Sequence, residues 1–261
     1  MACSVRSGSL CCREGLFMIR FISIVIFVPL FLICSIPLLG MEWLLGKWKP
    51  DWKDRSSLAI VNWAFSVCLK LSGVKITVIG EEHVPKDTAV LYVANHRSYF
   101  DILLTYTRVP RPTGYIAKKE MLRYPLLTNW MRNLHCLFLD RSDIKQGLKT
   151  ILEAVEKVKS GISICIFPEG TRNKEKDTFL PFHEGSFKIA EKSGCPIVPI
   201  AINHSAAIFE DQFPRIKKTH VVLEYCKPIY PADLSKEERK FLGSHVQKII
   251  EEAYFKNNHL D

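Results

Sequence analysis

The feature that most constrains the fold is an alternation of short apolar runs with amphipathic segments, which begins after Gly73. The apolar runs are rich in β-branched residues and are bounded by turn-forming residues, as expected for buried strands. Strands that alternate with helices favour an α/β fold, in which a largely parallel central sheet has helices on both faces. The predicted strands are Val74–Ile79, Ala89–Ala94, Gly114–Ala117, His135–Leu139, Ile162–Phe167, Pro196–Ile202 and Thr219–Tyr225.

Helical periodicity is clearest over Asp143–Lys159, where apolar residues recur on one face. Such a face is expected to lie against the core. Its residues are Ile144, Leu148, Ile151, Leu152, Val155 and Val158. Shorter helical segments are predicted around Met121–Arg132 and Glu184–Lys192. A final helix is predicted to begin at Ser235 through a capping box with Glu238.

The N-terminus carries a second constraint, because no charged residue occurs in Phe21–Met41. This length is close to what a helix needs to span the hydrocarbon core of a bilayer. Three tryptophans follow among lysines, a composition typical of the headgroup layer: Trp43, Trp48 and Trp52. A further apolar stretch, Leu58–Leu71, is short for a span. The segment is therefore predicted either to cross the membrane once or to form a helical hairpin in one leaflet; a buried soluble hairpin is the alternative.

Charge and cysteine usage limit the partners and the compartment. The 261-residue chain has a formal net charge of +9, which indicates an anionic partner such as a nucleic acid, a membrane surface or a phosphorylated substrate. Its nine cysteines include no Cys-x-x-Cys pair, which argues against a disulfide framework or zinc site and for a reducing compartment. With the change of pattern at Gly73, we predict a membrane-associated helical segment over residues 1–72 and an α/β domain over residues 73–261.

The first polar turn, Asn-His-Arg-Ser-Tyr-Phe-Asp, occupies residues 95–101, directly after the strand Ala89–Ala94. Here a strand gives way to a helix, and α/β folds place ligands at such turns. His96 in the turn and Asp101 in the first helical turn can meet, and an imidazole held by a carboxylate is an oriented general base. The alternative is structural, because Ser98 and Asp101 also fit a capping box that would only stabilise the helix start.

A second polar turn, Pro-Glu-Gly-Thr-Arg, occupies residues 168–172 and follows the strand Ile162–Phe167. A glycine at a strand end lets a ligand approach the backbone, and Arg172 can bind a phosphate through two hydrogen bonds. Lys118 and Arg141 also follow predicted strands, although solvated charges and plain turns are the usual meaning of such residues. If the sheet is parallel, all these turns lie at one edge and predict a site.

In this order, and behind a hydrophobic N-terminus, N-H-R-S-Y-F-D, F-P-E-G-T-R and V-P-I resemble the glycerolipid acyltransferase family, specifically its 1-acyl-sn-glycerol-3-phosphate acyltransferases. The resemblance covers residues 74–226. It implies that His96 is the general base on the acceptor hydroxyl and that Asp101 orients it. It also implies that the acceptor is bound by Arg141, Glu169, Gly170 and Arg172; Lys118 and Thr171 complete the predicted substrate-binding set.

The resemblance implies that a fatty acyl chain is transferred from a thioester of CoA or of acyl carrier protein to the free hydroxyl of a lysophospholipid. Lysophosphatidic acid is the expected acceptor. No cofactor and no metal are expected, because histidine is a base near neutral pH. The expected partners are the acceptor lipid, the thioester donor and a phospholipid membrane, with no nucleic acid. The active site is expected to face the cytosol. The alternatives are another lysophospholipid or glycerol 3-phosphate as acceptor, or a noncatalytic protein that binds anionic lipid.

Overall fold

Three helices open the chain in this computed structural model, which describes the backbone of residues 5–260 and the side chains of residues 15–260. They are α1 (Val5–Cys34), α2 (Ile36–Trp48) and α3 (Pro50–Ser72). A proline in the first turn starts both α2 and α3, since proline at that position lacks only an N–H that has no helical partner. Gly73 ends α3 with a φ of 69°, a left-handed conformation that glycine adopts without steric cost.

Seven strands form one sheet. They are β1 (Lys75–Ile79), β2 (Leu91–Ala94), β3 (Thr113–Lys118), β4 (Leu137–Leu139), β5 (Ser163–Ile166), β6 (Ile197–Asn203) and β7 (His220–Tyr225). Their order is β1-β7-β6-β2-β5-β3-β4, and all neighbours pair in parallel except β6 and β7. The predicted largely parallel sheet is therefore confirmed. β4 begins two residues later than predicted because His135 has a φ of 60°, which no strand residue adopts.

Helices cover both faces of the sheet, as predicted. The remaining helices are α4 (Phe100–Tyr106), α5 (Pro125–Asn133), α6 (Ile144–Lys159), α7 (Lys188–Ser193), α8 (Lys236–Lys240) and α9 (Leu242–Asn257). One apolar core joins the sheet to α3, α4 and α5, and a second joins it to α6, α7 and α9. β2 contributes Tyr92 to the first core and Leu91 and Val93 to the second, because successive side chains of a strand point to opposite faces.

The apolar face predicted for Asp143–Lys159 is buried only in part. Val155 and Val158 lie in the core, but Ile144, Leu148 and Leu152 are 89%, 58% and 43% exposed. The first half of α6 faces β4 with Gln146 and Thr150 instead, and both side chains donate to the carbonyl oxygen of Phe138. The final helix is also divided. The capping box of Ser235 and Glu238 starts α8, and Phe241 interrupts the helical structure before α9 begins.

The charge-free run Phe21–Met41 does not form one helix, because the helical structure is interrupted at Ser35, between α1 and α2. Among the described residues, one helix is long and apolar enough to cross a membrane, over Gly15–Cys34 with a mean hydropathy of 2.7. Apolar side chains of α1 are exposed on one side and pack on the core from the other. α3 ends at the predicted boundary, Ser72, but it buries Val61 and Leu69 in the core shared with the sheet; the division at residue 72 stays a prediction.

Candidate active site

The turn between β2 and α4 brings His96 and Asp101 together. Nδ1 of His96 lies 2.9 Å from Oδ2 of Asp101. The same oxygen accepts the backbone N–H of Arg97 at 2.7 Å and that of Ser98 at 2.8 Å. Asp101 is completely buried, so three converging donors fix one oxygen in place. Both interpretations of the sequence contribute: the bond from Ser98 N–H is of the capping type, and the bond from Nδ1 orients the ring.

The second ring nitrogen of His96 is available to a substrate. Because Nδ1 faces a carboxylate, the neutral ring carries its proton there and its lone pair on Nε2. Within residues 15–260, no side chain or backbone group is hydrogen-bonded to Nε2, and the His96 side chain is 15% exposed. The ring stacks on Phe167 with 4.2 Å between the ring centroids. His96 therefore has the orientation and the free lone pair of a general base.

Glu169 joins the turn after β2 to the turn after β5. Its Oε1 accepts the backbone N–H of His96 at 2.7 Å, and its Oε2 accepts that of Leu180 at 3.3 Å. In return, the backbone N–H of Asn173 donates to the carbonyl oxygen of His96 at 2.8 Å. Burial raises the pKa of Glu169, and the N–H groups of His96 and Leu180 oppose that shift. The carboxylate lies beside the His96 backbone, and we infer that it positions the turn; contact with the acceptor stays a prediction.

Gly170 has two reasons to be glycine. Its φ is 74°, and a Cβ there would lie 3.1 Å from Nε2 of His183 and 3.7 Å from Cζ of Arg141. The missing side chain therefore leaves room for two nitrogen-rich side chains beside the turn. His183 belongs to no sequence motif, so no pattern could have indicated it. Thr171 is exposed at the next position.

Arg172 is held by two side chains of the neighbouring loops. Its Nη1 donates to Oε1 of Glu210 at 3.2 Å and its Nη2 donates to Oη of Tyr99 at 2.9 Å. Its Cζ lies 3.6 Å from the centroid of the Tyr99 ring. A cavity of about 610 Å³ adjoins Arg172 and is lined also by Lys174 and by Phe213. A guanidinium has five N–H donors, so donors remain for an anionic ligand.

The two other predicted cations lie farther along the same edge. β3 and β4 are the second and third strands from β2, so at about 4.8 Å per strand their ends are roughly 10 Å and 14 Å away. Arg141 nevertheless approaches Gly170. Lys118 is exposed at the end of β3, and nothing in the described part of the chain joins it to the other site residues.

Two charged residues near the site were not predicted. Arg97 is buried, and its guanidinium donates to the backbone carbonyl oxygens of Glu175 and Thr178, which indicates a structural role. Glu210 contacts Arg172 from the segment that follows β6. The available signal was position, since Glu210 follows the strand that contains V-P-I, and β6 runs parallel to β2.

Among the residues that the structure describes, no side chain is placed to act as a covalent nucleophile together with His96. Across residues 15–260, no hydrogen bond links the His96 ring to a serine, threonine or cysteine side chain. The nearby Ser98 hydroxyl donates to Glu210 at 2.6 Å. Burial raises the pKa of Cys165 to about 12, so this thiol stays protonated at neutral pH. Nor do the described residues group three His, Cys, Asp or Glu side chains that could hold a metal ion.

Comparison with known sequences gives consistent relatives. Residues 75–203 match the family model described as acyltransferase. The 1-acyl-sn-glycerol-3-phosphate acyltransferase of Helicobacter pylori is 33% identical over 201 residues, which cover 75% of this chain and 80% of that protein. The enzyme of that name from Saccharomyces cerevisiae is 28% identical over 187 residues, or 71% of this chain. This chain spans 60% of the yeast protein's length and 62% of that of a Borreliella burgdorferi relative.

A solved structure has the same fold. The crystal structure of the 1-acyl-sn-glycerophosphate (LPA) acyltransferase from Thermotoga maritima superposes with a TM-score of 0.80 at 22% identity, covering 95% of this chain and 99% of that one. The solved structure confirms the fold, and the family model and the sequence relatives confirm the resemblance stated from the sequence motifs. The chain belongs to the acyltransferase family that includes the 1-acyl-sn-glycerol-3-phosphate acyltransferases.

Proposed function

We propose that the chain transfers an acyl group from a thioester donor, acyl-CoA or acyl carrier protein, to the free hydroxyl of lysophosphatidic acid. The observation that carries the proposal is the hydrogen bond between half-buried His96 and buried Asp101, which leaves the Nε2 of His96 free at the same sheet edge as Arg141 and Arg172. A base beside cations suits an acceptor that bears both a hydroxyl and a phosphate. The names of the relatives support this acceptor.

The proposed reaction is a direct transfer. Nε2 of His96 takes the proton of the acceptor hydroxyl while the hydroxyl oxygen attacks the carbonyl carbon of the thioester. The new C–O bond forms, the C–S bond breaks, and the departing thiolate receives the proton from Nε2. The charge of Asp101 stabilises the imidazolium that exists between these two proton transfers. No step requires a cofactor or a metal.

An acceptor panel tests the proposal. The purified protein in detergent is given acyl-CoA or acyl carrier protein thioester with lysophosphatidic acid, other lysophospholipids or glycerol 3-phosphate, and products are resolved by mass. We expect phosphatidic acid as the main product. Faster acylation of another acceptor would select the alternative substrates. The absence of any acylated product would contradict the reaction and favour a noncatalytic lipid-binding protein.

We further propose that α1 holds the site at a membrane surface whose cytosolic side carries the substrates. Phe209 and Phe213, in the segment after β6, lie 5.8 Å and 6.4 Å from Phe21 of α1, measured between ring centroids. Phe213 also lines the cavity beside Arg172. The apolar helix and the cavity beside Arg172 are thus neighbours, as a lysophospholipid with a buried tail and a charged headgroup requires.

Charges on the exposed side of α1 should release the protein from membranes. Ile26 and Ile33 are 60% and 59% exposed, so Ile26→Asp with Ile33→Asp removes little packing, while each aspartate costs roughly 2.5–3.5 kcal/mol at the centre of a span. We expect the double variant to leave the membrane fraction after an alkaline carbonate wash. Ile144→Asp with Leu148→Asp, on the exposed part of α6, is the matched control. Retention of the α1 variant as firm as that of the control would place the anchor elsewhere.

The role of Arg172 is tested by Arg172→Lys. Lysine keeps the charge but lacks the planar fork that binds phosphate oxygens and here also contacts Glu210 and Tyr99. Loss of a charge-assisted contact of about 1.5–3 kcal/mol should raise the acceptor KM roughly 10- to 150-fold, with little change in the donor KM. Saturation curves with each substrate varied separately measure both constants. Arg108→Lys, at a surface pair with Glu81, is the control. A rise in the donor KM alone would show that Arg172 binds the donor and that its assignment to the acceptor phosphate is wrong.

A further inference from the structure

Glu210 connects the two polar turns of the site with one carboxylate. It starts a short 3-10 helix, Glu210–Gln212, in the segment after β6. Its Oε2 accepts the Ser98 hydroxyl at 2.6 Å, and its Oε1 accepts the backbone N–H of Tyr99 at 2.8 Å and Nη1 of Arg172 at 3.2 Å. The Glu210 side chain is 19% exposed. None of the three sequence motifs contains it.

Glu210, Tyr99 and Arg172 each contact the other two, because Tyr99 and Arg172 also bind each other. The Tyr99 hydroxyl accepts Nη2 of Arg172 at 2.9 Å, and the ring lies under the guanidinium. Three contacts from two side chains, Glu210 and Tyr99, therefore fix the plane of the guanidinium, while its remaining donors stay free. An unconstrained arginine would lose rotamer entropy when it binds a phosphate. Here much of that ordering is complete before the acceptor arrives.

The same carboxylate also fixes where Arg172 stands relative to the base. His96, Ser98 and Tyr99 belong to one turn, which Asp101 holds through Oδ2. Arg172 belongs to the other turn. Glu210 binds both turns, whereas the buried Glu169 joins them only at the backbone of His96.

We propose that Glu210 is a positioning residue that sets the spacing and angle between the His96 base and the Arg172 guanidinium, and through them the place of the acceptor phosphate. The proposal rests on the proposed function. Its effect is geometric, because a misplacement of about 1 Å at a reacting centre can cost on the order of 100-fold in rate. A purely electrostatic role predicts the opposite effect of removing Glu210. The carboxylate would then repel the acceptor phosphate, and its removal would tighten acceptor binding.

The first test is Glu210→Gln in the full-length protein. The glutamine oxygen can still accept from Tyr99 N–H and Arg172, but without the charge that strengthens the arginine contact, and its NH₂ group cannot accept the Ser98 hydroxyl proton as Oε2 does. We expect kcat/KM for lysophosphatidic acid to fall roughly 10- to 100-fold, with an unchanged donor KM. Glu210→Asp keeps the charge on a shorter side chain and should recover part of the loss. An unchanged or higher kcat/KM for lysophosphatidic acid in Glu210→Gln would overturn the proposal.

Asp211→Asn is the matched control. It removes the same charge at the next position, which borders the same cavity but is hydrogen-bonded to neither polar turn among the described residues; its ion pair with Lys176 is long, at 3.9 Å. We expect activity within about twofold of the unsubstituted protein, as for a surface pair. An equal loss in both variants would show an effect of local charge and would contradict positioning by Glu210. Melting temperatures of all variants report whether each one folds.

A double-variant cycle with Arg172→Lys separates positioning from a general structural role. If Glu210 acts through Arg172, the two losses are not additive, because the second substitution removes an interaction already lost. Additive losses would overturn the proposal. Binding of lysophosphatidic acid without donor gives a readout independent of turnover. If the unsubstituted protein binds lysophosphatidic acid but transfers no acyl group, the proposed reaction is refuted and the role of Glu210 can still be tested by binding. If Glu210→Gln binds lysophosphatidic acid as tightly as the unsubstituted protein does, the positioning role of Glu210 is refuted and the proposed reaction is not.

Discussion

Replacing His96 with alanine is expected to lower kcat by at least about 100-fold, the usual scale for loss of a general base. The ring supplies the free Nε2, and within the described residues no serine, threonine or cysteine is hydrogen-bonded to that ring. The fold should survive, because the backbone N–H of His96 keeps its bond to Glu169. The side chain itself contributes the bond to Asp101 and the stack on Phe167.

The measurement is kcat at saturating donor and acceptor, with the melting temperature of the same preparation. His245→Ala, at an exposed position of α9, controls for the loss of an imidazole in general. Turnover close to that of the control in a folded His96→Ala protein would remove His96 from the mechanism.

Asp101→Asn should cost about as much activity as His96→Ala and also some stability, because its NH₂ group would replace Oδ1, which is buried without a hydrogen-bond partner among the described residues. The asparagine oxygen can still accept from Nδ1 of His96 and from the backbone N–H groups of Arg97 and Ser98, which now converge on Oδ2. What disappears is the buried negative charge opposite the imidazolium. Without it the base is weaker and the charged intermediate is less stable, so we expect kcat to fall by about 100-fold or more.

Asp143→Asn distinguishes this role from capping. Asp143 caps α6 by accepting the backbone N–H groups of Lys145 and Gln146, so the same substitution there weakens a cap at a distance from the base. A cap alone is worth about 0.5–2 kcal/mol of stability and nothing in rate. If Asp101→Asn behaved like Asp143→Asn, with a lower melting temperature and intact kcat, the capping interpretation of Asp101 would be correct.

The order of strands and helices was predictable because each element carries its own local pattern. Neither the length nor the exposure of an element follows from that pattern. Ile144 and Leu148 continue the apolar periodicity of α6 but are exposed, because this part of the helix faces β4 with Gln146 and Thr150 instead. Phe21–Met41 contains two prolines with opposite outcomes: Pro29 lies inside α1, and Pro37 starts α2.

Within the candidate site, sequence spacing sufficed for His96 and Asp101, because their contact is local. It did not indicate the direction in which Glu169 points, since a buried carboxylate and one that contacts substrate have the same sequence. Glu210 lies 112 positions from Ser98, and only the arrangement of β6 beside β2 brings them together. Contacts of this kind depend on tertiary structure and leave no periodic signal.

These long-range bonds also determine when the chain acquires its base during folding. The backbone of His96 is fixed by Glu169, 73 positions away, and its turn is fixed by Glu210, still farther along the chain. Contacts of such sequence separation form only after long loops have closed, which makes them slow and late. A chain still being synthesised, or one that has lost the β2–β5–β6 pairing, retains the His96 sequence motif without its geometry. The proposed acyl transfer should therefore appear only once the sheet is complete, so a partly folded chain would not consume the proposed thioester donor.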